Sequence, residues 1–158
     1  MESLTKRMAE LGLTLPPVAK ALASYVPAVI MGDLCFTSGQ LPLVSGALVH
    51  TGLVGTEVDL ASAMEAARIA ALNALSAAAE AAGGLDAIAG VIKITGFVQS
   101  SPSFHQEPQV LNGASDMLEA IFGASGRHAR SAVGVSSLPL NAPVEVECIF
   151  RLAESRHG

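Results

Sequence analysis

The ten residues Gly126-Arg127-His128-Ala129-Arg130-Ser131-Ala132-Val133-Gly134-Val135 put a cation at the head of an apolar strand. Successive strand side chains point to opposite faces, so Arg130, Ala132 and Gly134 share one face and Ser131, Val133 and Val135 the other. One face therefore carries a guanidinium beside almost no side-chain bulk, which leaves room for a small molecule. A planar fork of five donors suits a carboxylate. The alternative for any single arginine is an ordinary surface salt bridge, and the strand alone does not choose between the two.

Upstream, Pro108 stands where a proline opens a helix, and Val110, Leu111, Ala114, Met117, Leu118 and Ile121 give that helix an apolar stripe to about Phe122. Gly123 and Gly126 stop it. The preceding segment, Val91 to Gln99, is a strand with so little polar content that both faces are expected to be mostly buried. Before it, Leu60, Met64, Ala67, Ala71, Ala74 and Ala78 recur at helical spacing between Val58 and Ala82, with Thr56 or Asp59 as cap and Gly83-Gly84 as stop. The alanines make a smooth face that can lie close against a sheet.

Downstream, Pro139 and Pro143 bracket a turn before the last strand, Val144 to Leu152. Val144, Val146, Cys148, Phe150 and Leu152 share its core face; Glu145, Glu147, Ile149 and Arg151 share the other. Nearer the N-terminus, Val29-Ile30-Met31 and Leu34-Cys35-Phe36-Thr37 flank Gly32-Asp33, a bulge or a hairpin turn, and Ala47 to His50 forms another short strand. Leu4, Met8 and Leu11 before Gly12 predict a short amphipathic helix. Pro16-Pro17 then leads into an irregular or extended segment to Pro27 that holds Tyr25, the only tyrosine. This order predicts an α+β fold with two helices on one side of a single mixed sheet and the other side covered by further copies of the chain.

A length of 158 residues suits one domain over residues 1–158, with 1–20 as an extension and 25–152 as the core. Hydrophobic residues make up 51% and charged residues 15%, an apolar excess that favours burial between subunits. No run reaches membrane-spanning length, and Glu2, Lys6, Arg7 and Glu10 fall where a signal peptide needs apolar residues, so the expected location is the cytoplasm. Cys35 and Cys148 sit in apolar strands and are expected as reduced core thiols. A formal charge of −5 without any basic run argues against nucleic acid as a partner.

The polar residues that neither helix surfaces nor turns explain are Tyr25, Arg130, Glu145 and Glu147. A glutamate near Arg130 can hold a water as general base or tie down the outer donors of the guanidinium; the bland alternative for Glu145 and Glu147 is a solvated sheet face. His50, His105, His128 and His157 have no metal-binding spacing, so no metal site is expected. Gly46, Gly52 and Gly55 make no phosphate loop, and no G-x-S-x-G elbow surrounds a serine.

With Thr37-Ser38-Gly39-Gln40-Leu41-Pro42, the Arg130-Ser131 strand and Val144-Glu145-Val146-Glu147 in this order around two helices, the chain resembles the reactive intermediate (enamine/imine) deaminase family, also called the YjgF/YER057c/UK114 family. The resemblance runs from about Tyr25 to Leu152 and is specific only as a combination. It implies a chorismate-mutase-like fold, a homotrimer with clefts between subunits, and hydrolysis of enamine/imine intermediates of small 2-imino acids to 2-keto acids and ammonia without metal or organic cofactor. By position, Arg130 matches the carboxylate-binding arginine and Glu145 the glutamate that positions water. Tyr25 matches the cleft tyrosine, and Gly39 the glycine whose backbone lines the cleft. Ala132 stands where many members have cysteine, which removes a thiol but keeps the backbone that contacts substrate. Asn112 is a candidate for the family's asparagine. Alternatives are a binding trimer that holds a small carboxylate without turnover and, from older names of the family, an endoribonuclease or translation inhibitor.

Overall fold

The computed structural model describes residues 2–20 and 24–154, so that His157 and three residues of the segment ahead of Tyr25 lie outside it. Helix α1 (Leu4–Glu10) begins at Ser3, whose hydroxyl accepts from the Lys6 amide. A hairpin follows, β1 (Ala28–Met31) and β2 (Leu34–Thr37), turning at Gly32-Asp33 with Gly32 at φ 60°. The Gly-Asp pair is therefore the turn. A second hairpin, β3 (Leu43–Val44) with β4 (Ala47–Leu48), turns at Ser45-Gly46; only its second strand is foreseen by the apolar pattern.

Helix α2 (Leu60–Ala82) is capped by Asp59, whose carboxylate accepts from the Ser62 amide at 2.8 Å, and ends at Gly83 in the left-handed region. Val58 precedes the cap and so falls outside the helix. Strand β5 (Ile88–Gln99) starts three residues before Val91, and α3 (Glu107–Phe122) carries Pro108 in its first turn. Then come β6 (Ala129–Val135) and β7 (Val144–Leu152). Among the described residues no helix is long and apolar enough to cross a membrane.

The main sheet runs β1-β2-β7-β5-β6, antiparallel except for the parallel pair β5 and β6. Both long helices lie on one face. There Cys35, Ile94, Val98, Val144, Val146, Cys148 and Phe150 are buried against alanines of α2 and against Val110, Leu111, Ala114 and Leu118 of α3. The two cysteines are free and buried in this core. Met8 joins the same core from α1, so the N-terminal helix is packed against the body of the protein.

The opposite face of the sheet carries Val29, Phe36, Ile149, Thr95, Glu147, Phe97, Glu145 and Val133, placed together by strand register. Among the described residues nothing covers it. Met31 at 73% exposure and Val29, Phe36, Ile92 and Val133 leave a broad apolar surface. The expectation that both faces of β5 are mostly buried thus fails within one chain, because the helices cover only one side of the strand.

Two glycines govern how closely α3 is seated. A Cβ on Gly96 of β5 would overlap the Leu111 side chain, and a Cβ on Gly113 of α3 would overlap the Met64 carbonyl of α2. Alanine is better than glycine in a helix by about 1 kcal/mol, yet forcing a methyl against fixed backbone costs about 1–3 kcal/mol. Gly113→Ala is expected to lower stability despite the gain in propensity. A urea-unfolding midpoint at or above that of the unmodified protein would contradict this seating of α3.

Candidate functional site

Arg130 lies on β6 opposite Ile94 of β5, on the helix face of the sheet. Its side chain runs beneath α3, where Nη1 donates to Asn112 Oδ1 at 2.8 Å and to Ser115 Oγ at 3.1 Å. Because a guanidinium only donates, the asparagine must turn its oxygen toward it. These two bonds occupy both protons of Nη1. Nε and Nη2 have no protein acceptor among the described residues, and no carboxylate stands within ion-pair distance of the guanidinium. The surface salt bridge is therefore not what the structure shows.

Ser115 is in turn tied to His128, with Oγ and Nε2 2.9 Å apart, and His128 Nδ1 lies 2.6 Å from the Gly126 carbonyl. Sequence reading missed both residues as parts of the site. The signals were present: Ser115 is three residues after Asn112 on one helix face, and His128 is two residues before Arg130, just ahead of β6. Ala132 follows Arg130 on the same side. Gly134 comes next, and a Cβ there would press on Ser100 Oγ at 2.8 Å and Glu107 Oε1 at 2.9 Å. An open cavity of about 330 Å³ lies over this end of β6, lined by Ser100, Ser101, Phe104, His105, Glu107 and Gly134 among others.

Glu145 belongs to a second group of residues. It pairs with Phe97 across β7 and β5 and is half-buried on the face away from the helices. Gly39 is directly against it: a Cβ on Gly39 would overlap the Glu145 carboxylate. The loop that brings Gly39 there is a one-residue irregularity between β2 and β7. Phe36 pairs with Ile149 but Gln40 with Val146, and the Thr37 hydroxyl accepts from the Cys148 amide across the gap. Asn73, buried in α2, holds the far side of the loop by donating to the Leu41 and Leu43 carbonyls at 3.0 Å each. Ser38 ties in the segment of Tyr25 through the carbonyls of Val26 and Pro27. Tyr25 itself is 50% exposed.

The structure thus brings Arg130, Asn112 and Ala132 together, and it brings Gly39 and Glu145 together with the Tyr25 segment tied beside them. It does not join the two groups within one chain. Arg130 and Glu145 lie on opposite faces, on strands separated by β5, which is about 10 Å across the sheet before their offset along it is added.

Comparisons with known proteins give the family. Residues 5–153 match the family model described as YjgF/chorismate_mutase-like, putative endoribonuclease. The chain belongs to this family. Protein TCP17 of Trypanosoma cruzi is 42% identical over 143 residues, which cover 90% of this chain and 89% of that protein. The crystal structure of Atu1372 from Agrobacterium tumefaciens superposes with a TM-score of 0.86 at 47% identity, covering 94% of this chain and 91% of the other. That of E. coli TdcF with bound serine superposes with a TM-score of 0.62 at 26% identity, covering 88% and 94%. The fold of this family member is the YjgF/chorismate-mutase-like fold, with its helices on one face of the sheet.

Burial, and then the neighbouring Glu147 charge, raise the pKa of the Glu145 carboxyl above the usual carboxylate range. The unfolded chain releases this proton first, so stability is expected to fall as pH rises from the ordinary glutamate range to the raised value. Glu145→Gln should remove that fall and give a flatter profile of unfolding free energy against pH. An unchanged profile would show that Glu145 is not perturbed.

Proposed function

We propose that this family member hydrolyses reactive enamine/imine intermediates of small 2-imino acids to 2-keto acids and ammonia. The observation that carries this reading is the Arg130 guanidinium, pinned on one nitrogen by Asn112 and Ser115 and left without an anionic partner among the described residues. A half-buried cation with its remaining donors unused calls for a small planar anion. A carboxylate meets the Nε and Nη2 donors in a bidentate pair worth roughly 1.5–3 kcal/mol. TdcF, a similar chain, is described with serine bound, and an α-amino carboxylate is the chemistry expected at such an arginine.

The second half of the reaction needs a base. Water attacks the imine carbon, a C–O bond forms, the C=N π pair moves to nitrogen, and Glu145 takes the proton that water loses. Glu145 returns that proton to nitrogen, and the proton of the new hydroxyl follows it to nitrogen as C=O forms and the C–N bond breaks, so ammonia leaves and the 2-keto acid remains. A carboxylate whose pKa is raised is a better base for this step than an ordinary one. The imine carbon is already electrophilic, so orientation and one placed water supply most of what the chemistry demands.

In this reading the chain works as a homotrimer, whose clefts set the Arg130 group of one subunit against the Tyr25, Gly39 and Glu145 group of the next. The uncovered apolar face of the sheet and the separation of the two groups within one chain support it. The endoribonuclease in the family's description is the weaker reading, because a formal charge of −5 repels phosphate backbones.

The test couples the purified protein to a threonine dehydratase and follows the decay of the imine into 2-oxobutanoate. Acceleration is expected, with kcat/KM reduced about ten- to hundredfold in Arg130→Ala by loss of the carboxylate pair and kcat reduced about a hundredfold in Glu145→Gln by loss of the base. No acceleration, or acceleration that survives Arg130→Ala, would overturn the proposal; 2-oxobutanoate binding without turnover would leave a carboxylate-binding protein. Gly39→Ala, which drives a methyl into the Glu145 carboxylate, is expected to lose activity about as severely as Glu145→Gln while keeping its affinity for 2-oxobutanoate.

A further inference from the structure

We propose that Ser115 and His128 are positioning residues that set which edge of Arg130 is offered to the substrate. The inference rests on Arg130 as the carboxylate anchor and adds two residues that resemblance to the family does not supply. The Gly126 carbonyl can only accept, so the proton of His128 sits on Nδ1, 2.6 Å away. In the neutral ring Nε2 is then an acceptor, and the Ser115 hydroxyl 2.9 Å away donates to it. With its proton committed to His128, the Ser115 oxygen turns lone pairs toward Arg130 and accepts from Nη1 at 3.1 Å. The chain of bonds runs from Arg130 to Ser115 to His128 to the Gly126 backbone.

Its consequence is directional. Asn112 Oδ1 and Ser115 Oγ take both protons of Nη1, so rotation of the guanidinium is blocked and the Nε–Nη2 edge is the one left for a carboxylate. A guanidinium fixed in this way binds a planar anion in one orientation, which in turn fixes the imine carbon relative to any base facing it. Ser115 is only 8% exposed, is spanned by hydrogen bonds on both sides, and sits beneath the side chain that meets the ligand. Those features assign the serine and histidine to support and not to nucleophilic attack, although their spacing resembles a nucleophile with its base.

The experiment uses the full-length protein in three readouts. Long-range ¹H–¹⁵N spectra of the imidazoles should show His128 as the neutral Nδ1–H tautomer, with its Nε2 resonance displaced in Ser115→Ala. The Arg130 guanidinium should give separate Nη1 and Nη2 signals from slow rotation in the unmodified protein and averaged signals in Ser115→Ala. Calorimetric titration with 2-oxobutanoate should show affinity about tenfold weaker in Ser115→Ala and in His128→Ala. His128→Gln, whose Oε1 can still accept from Ser115, should recover part of the loss. In the imine assay KM should rise by a similar factor and kcat should fall with it, since the imine carbon is no longer fixed relative to the base.

An averaged Arg130 signal in the unmodified protein that still binds 2-oxobutanoate would overturn the positioning role and leave the anchor standing. A pinned guanidinium with no affinity for 2-oxobutanoate would overturn the anchor, and with it the role assigned to Ser115 and His128. Covalent labelling of Ser115 by a fluorophosphonate would overturn the assignment in favour of a nucleophile. Should Ser115→Ala fail to fold, the two His128 variants carry the same comparison.

Discussion

The site depends on how tightly α3 is seated between α2 and the sheet. Gly113 lets α3 meet the Met64 carbonyl, and Gly96 lets Leu111 drop onto β5. At that distance Asn112 and Ser115 come within hydrogen-bond reach of the Arg130 side chain on β6. A helix held farther out by even one methyl would leave the guanidinium to wander and its two acceptors without a donor. Interiors packed at crystal-like density transmit such small displacements instead of absorbing them.

The other half of the candidate site is held by similar means. A one-residue irregularity between β2 and β7 swings Gly39 over the sheet, and Asn73 within α2 fastens the loop from behind. Glycine is needed at 39 for space, because the Glu145 carboxylate fills the volume a side chain would take. Both halves therefore use glycines for close approach, Gly96 and Gly113 to seat α3 and Gly39 to meet the Glu145 carboxylate. They differ in electrostatics: Arg130 has neutral acceptors and, among the described residues, no anion, whereas Glu145 has partial burial and a second carboxylate as neighbour.

Much of this architecture is visible in the order of residues. The alternation of Val144 to Leu152 separates a core face from a face bearing Glu145 and Glu147, and the register of β7 with β5 agrees. Asp59, Gly83 and Pro108 mark helix ends because caps and stops are local, governed by a few neighbouring backbone groups. The hairpin of Leu43–Val44 with Ala47–Leu48 was only half legible, since two-residue strands carry too little pattern to stand out. Likewise Ser115 and His128 each have an unremarked neighbourhood in sequence, and only the crossing of α3 over β6 makes them one network.

By itself, then, the sequence determined the α+β layering, the helix on which Asn112 lies, and which residues share a strand face with Arg130 and which share one with Glu145. These follow from period, caps and alternation, which act within a few residues. Tertiary structure alone decided that Arg130 meets no carboxylate among the described residues, that its neighbours are Asn112, Ser115 and, behind them, His128, and that Glu145 stands with Gly39 on the other side of the sheet. The physical reason is that strand order and helix seating join residues 13 to 106 positions apart, and nothing local records those distances.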